Sequence, residues 1–333
     1  MNQEMIRVSV IIPMYNSEKH MSLCLNSLLK QDYKNVEIII IDDGSTDNTL
    51  CVAKEYAQKD SRIKVITQTN RGPSAARNAG IDQSRGSIIC FVDSDDYVEP
   101  DYINRLVGTF DSEKADAVFF GFRRLNTALM TLSTHNLPIK GEDYFINITQ
   151  LSRADMFGYT WIKALKKEII GETRFKEKLR LFEDEVFSCE VFQKECNVVY
   201  LNTVLYNYVR DPSSLSEKTN QNYYECCEEV YCGWKRLLDA KANAKTNENI
   251  IGFLNDKANH LAINSMYYGL ERKVNYFKYY KELCKCSFVK ESTINNRFID
   301  FLRKNRLLSI MFFHWNYVLK NHLKSFLFCK AKR

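Results

Sequence analysis

No stretch of this chain stays apolar for the roughly 20 residues that a membrane-crossing helix needs. No G-x-G-x-x-G follows the first strand-like run, which argues against a dinucleotide site of the dehydrogenase kind, and no G-x-x-x-x-G-K-[ST] occurs, which excludes a P-loop. Neither acidic loop has the D-x-[DN]-x-[DN]-G spacing with a later Glu that a calcium loop requires. The 11 cysteines are odd in number and scattered. Cys284-x-Cys286 and Cys226-Cys227 lack the second pair, or the His cluster, of a zinc site. There is no internal repeat and no low-complexity linker. Charge names no partner either: 47 basic and 41 acidic side chains leave a net +6, too small an excess to argue for nucleic acid. No signal peptide precedes the first strand, since Met1-Asn2-Gln3-Glu4-Met5-Ile6-Arg7 runs straight into it. The expectation is a cytoplasmic chain with free thiols.

What the chain does contain is an alternation. Apolar runs at 8–12, 36–41, 63–66 and 87–92 are separated by helical patterns at 17–30, 46–58 and 73–83. Such a series predicts a mostly parallel sheet covered on both faces, with ligands at the carboxyl ends of the strands. Ser45 or Thr46 is placed to cap the second helix. A further strand is expected over 116–122, then a mixed segment to about 215, then consecutive helices over 223–242, 248–270, 276–284 and 293–304. A soft boundary falls near 218. At 333 residues and 45% hydrophobic, the chain can build one domain with a sizeable core and an appendage.

Three polar clusters follow strand ends: Pro13-Met14-Tyr15-Asn16, Asp42-Asp43-Gly44-Ser45-Thr46-Asp47 and Asp93-Ser94-Asp95-Asp96. In a parallel sheet these loops share one edge. Asp93 and Asp95 are two apart, so on extended backbone they point to the same side. Like charges that close repel unless a cation lies between them. Hard oxygen ligands on a short loop suit Mg²⁺ or Mn²⁺, ions that usually carry substrate phosphates as further ligands. A nucleotide here would be held by side chains and metal. Asp43 can accept the ring N–H of a uracil, and Tyr15 can stack on the base or brace the ribose.

Residues 8–16 (VSVIIPMYN), 41–47 (IDDGSTD), 70–80 (NRGPSAARNAG) and 91–97 (FVDSDDY) resemble, in order and spacing, the motifs of family 2 glycosyltransferases. The resemblance is specific over 6–122 and weaker to about 216. It implies an α/β fold of the GT-A nucleotide-diphospho-sugar transferase type, a mostly parallel sheet flanked by helices, with a helical C-terminal extension. It divides the chain into a catalytic domain over 1–217 (nucleotide-binding 1–122, acceptor-binding 123–217) and a helical region over 218–333. It also implies an inverting transfer from a nucleotide-diphosphate sugar, a UDP-sugar first, with Mn²⁺ or Mg²⁺. Matched by position, Pro13, Tyr15, Asn16, Asp43, Arg71, Arg77, Asp93 and Ser94 would contact the nucleotide, with Arg71 and Arg77 as alternatives at the base or diphosphate. Asp95, helped by Asp93, would hold the metal. The catalytic base of the family lies in a later E-D pair, here Glu183-Asp184 within 181–187 (LFEDEVF), with Asp184 as base. Trp161, Lys163, Glu183 and Arg210 are candidate acceptor or diphosphate contacts.

Each assignment has a plainer structural counterpart. Asp47 and the Glu183-Asp184-Glu185 run suit the first turn of a helix, where the dipole stabilises carboxylates. Trp161 reads equally as core, and Arg210 as a solvated loop charge. The C-terminal tail has no Asp or Glu after Asp300. Its Arg303, Lys304, Lys320, Lys324 and Lys330 interleave with Phe312, Phe313, Trp315 and Phe326. That is either a membrane-surface helix or a helix docked on the domain. With it, the expected partners are a nucleotide-sugar donor, a glycan or lipid-linked acceptor and the cytoplasmic face of a membrane, and no nucleic acid. Oligomeric state is not legible. Rival classes are a sugar nucleotidyltransferase, which would need a Gly-rich basic loop after the first strand, and a nucleotide-sugar-binding protein without catalysis.

Overall fold

The computed structural model describes residues 6–124, 129–130, 138–139, 156–193, 196–209 and 223–239, and short pieces between 252 and 287. Arg210, the helical patterns at 276–284 and 293–304, most of 248–270 and the basic tail lie outside the described residues.

The chain divides into two compact units, Met1–Thr219 and Asn220–Arg333. The first unit is built on β1 (Val8–Met14), α1 (Met21–Leu29), β2 (Val36–Asp42), α2 (Thr49–Lys59), β3 (Ile63–Thr67), α3 (Pro73–Gln83) and β4 (Ile88–Phe91). It continues with β5 (Tyr97–Val98), α4 (Tyr102–Ser112), β6 (Ala117–Arg124), β7 (Leu129–Met130) and β8 (Pro138–Ile139), and then β9 (Lys163–Lys166), α5 (Lys167–Ile170), α6 (Glu183–Val191) and β10 (Val198–Tyr208). The sheet order is β3-β2-β1-β4-β9-β6-β10-β5, with β7 on β6 and β8 on β10. Strands β3, β2, β1 and β4 are parallel. Strand β9 enters antiparallel between β4 and β6, and β6 pairs parallel with β10.

Strands β1 and β2 are buried on both faces, as their isoleucine runs require, while β3 at the sheet edge is partly exposed. Ile39 and Ile41 of β2 pack on Ala76 of α3. Helix α3 approaches β1 so closely that a Cβ on Gly80 would stand 2.3 Å from the Ile11 Cγ2. Because β1, β2 and β4 are parallel neighbours, the loops that follow them emerge at one sheet edge.

The helix expected from 46 starts at Thr49, and neither Ser45 nor Thr46 caps it. Both are committed elsewhere: Ser45 Oγ accepts from Asn16 N at 3.0 Å, and Thr46 N donates to Asn16 Oδ1 at 2.8 Å. Asp47 takes over near the helix start, accepting from Thr49 N at 3.0 Å and from its hydroxyl at 2.6 Å. In the second unit, α7 (Tyr223–Asp239) buries Val230, Trp234, Leu237 and Leu238. Among the described residues no helix is long and apolar enough to cross a membrane, and every cysteine is a free thiol.

Candidate active site

The acidic loop after β4 is a turn and not extended backbone, closed by Asp96 N donating to Asp93 O at 3.2 Å. The pleat argument for the two-apart aspartates therefore does not apply. Instead the turn separates three fates. Asp96 is fully buried. It accepts from the Tyr206 hydroxyl at 2.8 Å and from Val209 N at 2.7 Å. Burial, and then the charges of Asp93 and Asp95, push its carboxyl up to about 8. Asp93 and Asp95 stay half-buried, open to the edge. The Tyr206 oxygen also accepts from Asp93 N at 3.1 Å, so one phenol from β10 braces both ends of the turn.

Arg77 of α3 joins this loop to the E-D pair. Its Nη2 donates to Asp93 Oδ1 and its Nη1 to Glu183 Oε1, both at 3.2 Å. The guanidinium is 8% exposed and lies over the Phe175 ring at 5.6 Å. The next residue, Asn78, clasps the Phe175 backbone from both sides, at 2.9 and 2.8 Å. The Phe175 ring stacks on Phe187 of α6, with centroids 3.9 Å apart, and both rings present edges to Phe91. The last residue of β4 and the first turns of α6 thus share one aromatic contact. Phe182, at φ +62°, turns the chain into α6, and Glu183-Asp184-Glu185 opens it as expected.

Burial raises the carboxyls of both Glu183 and Asp184. For Glu183 the Asp184 charge adds to the rise and Arg77 opposes it, leaving it at about 7. For Asp184, Arg77 and Lys163 pull the other way. The pair therefore holds a proton near neutrality more readily than free carboxylates do.

The first two loops are cross-braced. Asn16, at φ +50°, ties its amide oxygen to Thr46, and Ser17 Oγ meets Ser94 Oγ at 2.8 Å, linking the first loop to the acidic turn. Tyr15 is 39% exposed beside them, and Pro13 is the sixth residue of β1, opposite Ile41. Asp43 is buried. Its Oδ1 accepts from Gln68 Nε2 at 2.7 Å and Arg71 N at 2.9 Å, and its Oδ2 from Gly72 N at 2.7 Å. It organises the loop into α3, and those three bonds leave one acceptor direction on Oδ2. The two arginine alternatives separate. Arg71 is a surface residue paired with Glu177 at 2.6 Å, while Arg77 is the interior bridge.

Lys163 departs from expectation. It is 1% exposed, the first residue of β9, and donates to the Phe157 carbonyl, to Gly158 O at 3.2 Å and to Ser188 Oγ at 2.6 Å. With its three protons engaged in the interior, it does not face an acceptor. Trp161, 6% exposed, is stacked between Tyr159, Tyr206 and Tyr208. Sequence reasoning missed Tyr206, Phe175, Gln68 and Glu177. None carries a local signal, because each acts across the fold, Tyr206 at 110 positions from Asp96.

Among the described residues no three His, Cys, Asp or Glu side chains gather closely enough to hold a metal alone. A magnesium-like ion is usually held by one or two carboxylates plus substrate phosphates. Asp93 and Asp95 on the open turn fit that donor set.

Residues 9–172 match the model of glycosyl transferase family 2. The chain is 36% identical over 220 residues to the uncharacterised glycosyltransferase EpsJ of Bacillus subtilis, covering 63% of each. It is 30% identical over 221 residues to the glycosyltransferase GlyG of Streptococcus pneumoniae serotype 4, covering 62% of this chain and 72% of that one. It therefore spans less than two thirds of EpsJ. Among solved structures, S. aureus TarS 1–349 in complex with UDP-GlcNAc matches with a TM-score of 0.61 at 22% identity, covering 78% of this chain and 83% of that one. The mannosyltransferase PcManGT of Pyrobaculum calidifontis, in complex with GDP-Man and Mn²⁺, matches with a TM-score of 0.55 at 15% identity, covering 88% of each. The chain belongs to glycosyltransferase family 2, and its fold is of the GT-A type.

Proposed function

We propose that this chain is an inverting, metal-dependent glycosyltransferase that moves a sugar from a UDP-sugar to a hydroxyl of a glycan or lipid-linked glycan. The observation that carries the reading is the Arg77 bridge, which brings the acidic turn and the Glu183-Asp184 pair to the same sheet edge, both half-buried. Grip on a leaving group and a base for the incoming hydroxyl are the two requirements of a single displacement.

Asp95, with Asp93, would hold Mn²⁺ or Mg²⁺. The ion, when bound, neutralises charge on the leaving diphosphate. Asp43 would offer its remaining acceptor direction to the uracil N–H, with Tyr15 for the base or ribose, and Pro13, Asn16 and Ser94 would be further nucleotide contacts. Asp184 removes the proton of the acceptor hydroxyl, a role typically worth about 10²–10⁴-fold. Glu183, raised to about 7, stays paired with Arg77 beside Asp184. The nucleotide-binding part would be 1–122 and the acceptor-binding part 123–217, with Trp161 and, by sequence position alone, Arg210 as candidate acceptor contacts. The basic aromatic tail of the 218–333 region would hold the enzyme to the cytoplasmic face of a membrane, where a lipid-linked acceptor is found.

A thermal-shift screen of nucleotide sugars with and without Mn²⁺ tests this directly. One UDP-sugar is expected to raise the unfolding temperature only with the metal, and free UDP to appear on adding acceptor. Asp184→Asn is expected to keep the shift and lose the release. No shift with any nucleotide sugar would overturn the reading.

A further inference from the structure

Lys163 takes no step in the reaction as proposed, yet it is a buried cation beside the base. A buried ammonium is costly unless its donors are met. Here the carbonyl of Phe157, Gly158 O and Ser188 Oγ take them, and the rings of Phe119 and Phe157 lie 5.2 and 5.4 Å from Nζ. Ser188 stands one turn after Asp184 on α6, and its hydroxyl passes the connection on, donating to the Asp184 carbonyl at 2.8 Å. Gly158 sits against the same turn: a Cβ there would come 3.3 Å from the Glu185 Cβ.

We propose that Lys163 is a positioning residue for the base: its ammonium binds the start of β9, the Phe157-Gly158 backbone and the second turn of α6 into one unit that fixes the Asp184 carboxylate. The inference rests on the reading of Asp184 as the base.

The charges around the pair agree with this. Asp184 meets Arg77 from α3 and Lys163 from β9, with Glu183 and Glu185 on its own helix. Burial raises Asp184, both cations lower it, and Glu185 raises it. Burial brings Lys163 down to about 7 against the pull of Asp184, Cys189 and Glu185. Lys163 is therefore charged over the acid range in which a base must hold its ionised form.

The test compares wild type, Lys163→Met, Ser188→Ala and Asp184→Asn in the full chain. Carboxyl-¹³C aspartate NMR follows Asp184, assigned by the signal that Asp184→Asn removes, and UDP release from UDP-GlcNAc with Mn²⁺, with water as the hydroxyl that takes the sugar, gives kcat and KM. In Lys163→Met the Asp184 signal is expected to titrate at higher pH. The acid limb of kcat should move with it, while KM for UDP-GlcNAc is unchanged. Ser188→Ala keeps the charge and loosens the helix. It is expected to lower kcat, by up to the order of 10²-fold for a displaced base, with the titration unmoved. An Asp184 signal that titrates in Lys163→Met where it does in wild type overturns the inference, as does Ser188→Ala at wild-type turnover. The second variant decides alone if Lys163→Met fails to unfold cooperatively. Full turnover by Asp184→Asn would sink the base assignment instead, and the titration, which needs no donor, would still report on Lys163.

Discussion

Arg77 and Asn78 are consecutive, and each reaches about 100 positions along the chain, Arg77 to Glu183 and Asn78 to Phe175. Arg77 was legible as a candidate because it sits in a motif. Its task was not, because nothing local says that an arginine on α3 neutralises one carboxylate from β4 and another from α6. Its Nε is buried without an acceptor among the described residues, so even this bridge is under-satisfied. Removing one partner of a buried charge cluster typically costs about 3–5 kcal/mol. Arg77→Met is therefore expected to lower stability by roughly that amount and to take away the cation paired with Asp93. Mn²⁺ should return part of the loss. Urea unfolding of wild type and variant, each with and without Mn²⁺, measures both effects, and equal losses in the two conditions would separate Arg77 from the metal loop. The sequence likewise marked Asp43 as functional. The structure adds that most of its hydrogen-bonding capacity goes into shaping the Gln68–Gly72 turn, so Asp43→Asn is expected to weaken UDP binding and lower the melting temperature together. Calorimetry and a thermal melt on the same sample check the pairing.

At the scale of elements, β1 to β4 and β6 were read to within two residues at each end because a buried parallel strand announces itself by an unbroken apolar run, whereas β10 was left inside a mixed segment. Helix starts were read less well. Residues 46–48 look like a first turn, but Asn16 and Glu18, some 30 positions earlier, claim their hydrogen bonds, and the helix waits until Thr49. Strand β9 escaped altogether: Lys163-Ala164-Leu165-Lys166 has a charge at each end and is only a strand because β4 and β6 leave a gap of its width. The packing of α3 on β1 yields an element-scale expectation. Alanine is the better helix former by about 1 kcal/mol, yet Gly80→Ala places a methyl group 2.3 Å from the Ile11 Cγ2. Overpacking of this kind typically costs about 1–3 kcal/mol, so the variant should be the less stable one. Ile11→Ala in the same chain should cost less than the two separate losses summed, as chemical denaturation of the four species would reveal.

For the molecule as a whole, the interior charges set how stability follows pH. Folded Lys163 titrates at about 7 against an ordinary 10.5. Between those values the unfolded chain binds the extra proton, so folding gains stability as pH rises through that window. The melting temperature of wild type relative to Lys163→Met is expected to climb from pH 7 upward. A flat difference would mean that the amine stays charged throughout. The sequence located the sheet edge, but not how far the Glu183-Asp184 pair stands from the acidic turn, because that spacing belongs to no single stretch of chain. It is set where Phe91, Phe175 and Phe187 meet. Three interlocked rings leave no joint between the acidic turn and the helix that carries Glu183-Asp184, so, on the proposed reading, the opening between them behaves as a fixed gauge. A substrate of different girth would have to be fitted by recutting those rings, and a change confined to the surface loops would leave the gauge as it was.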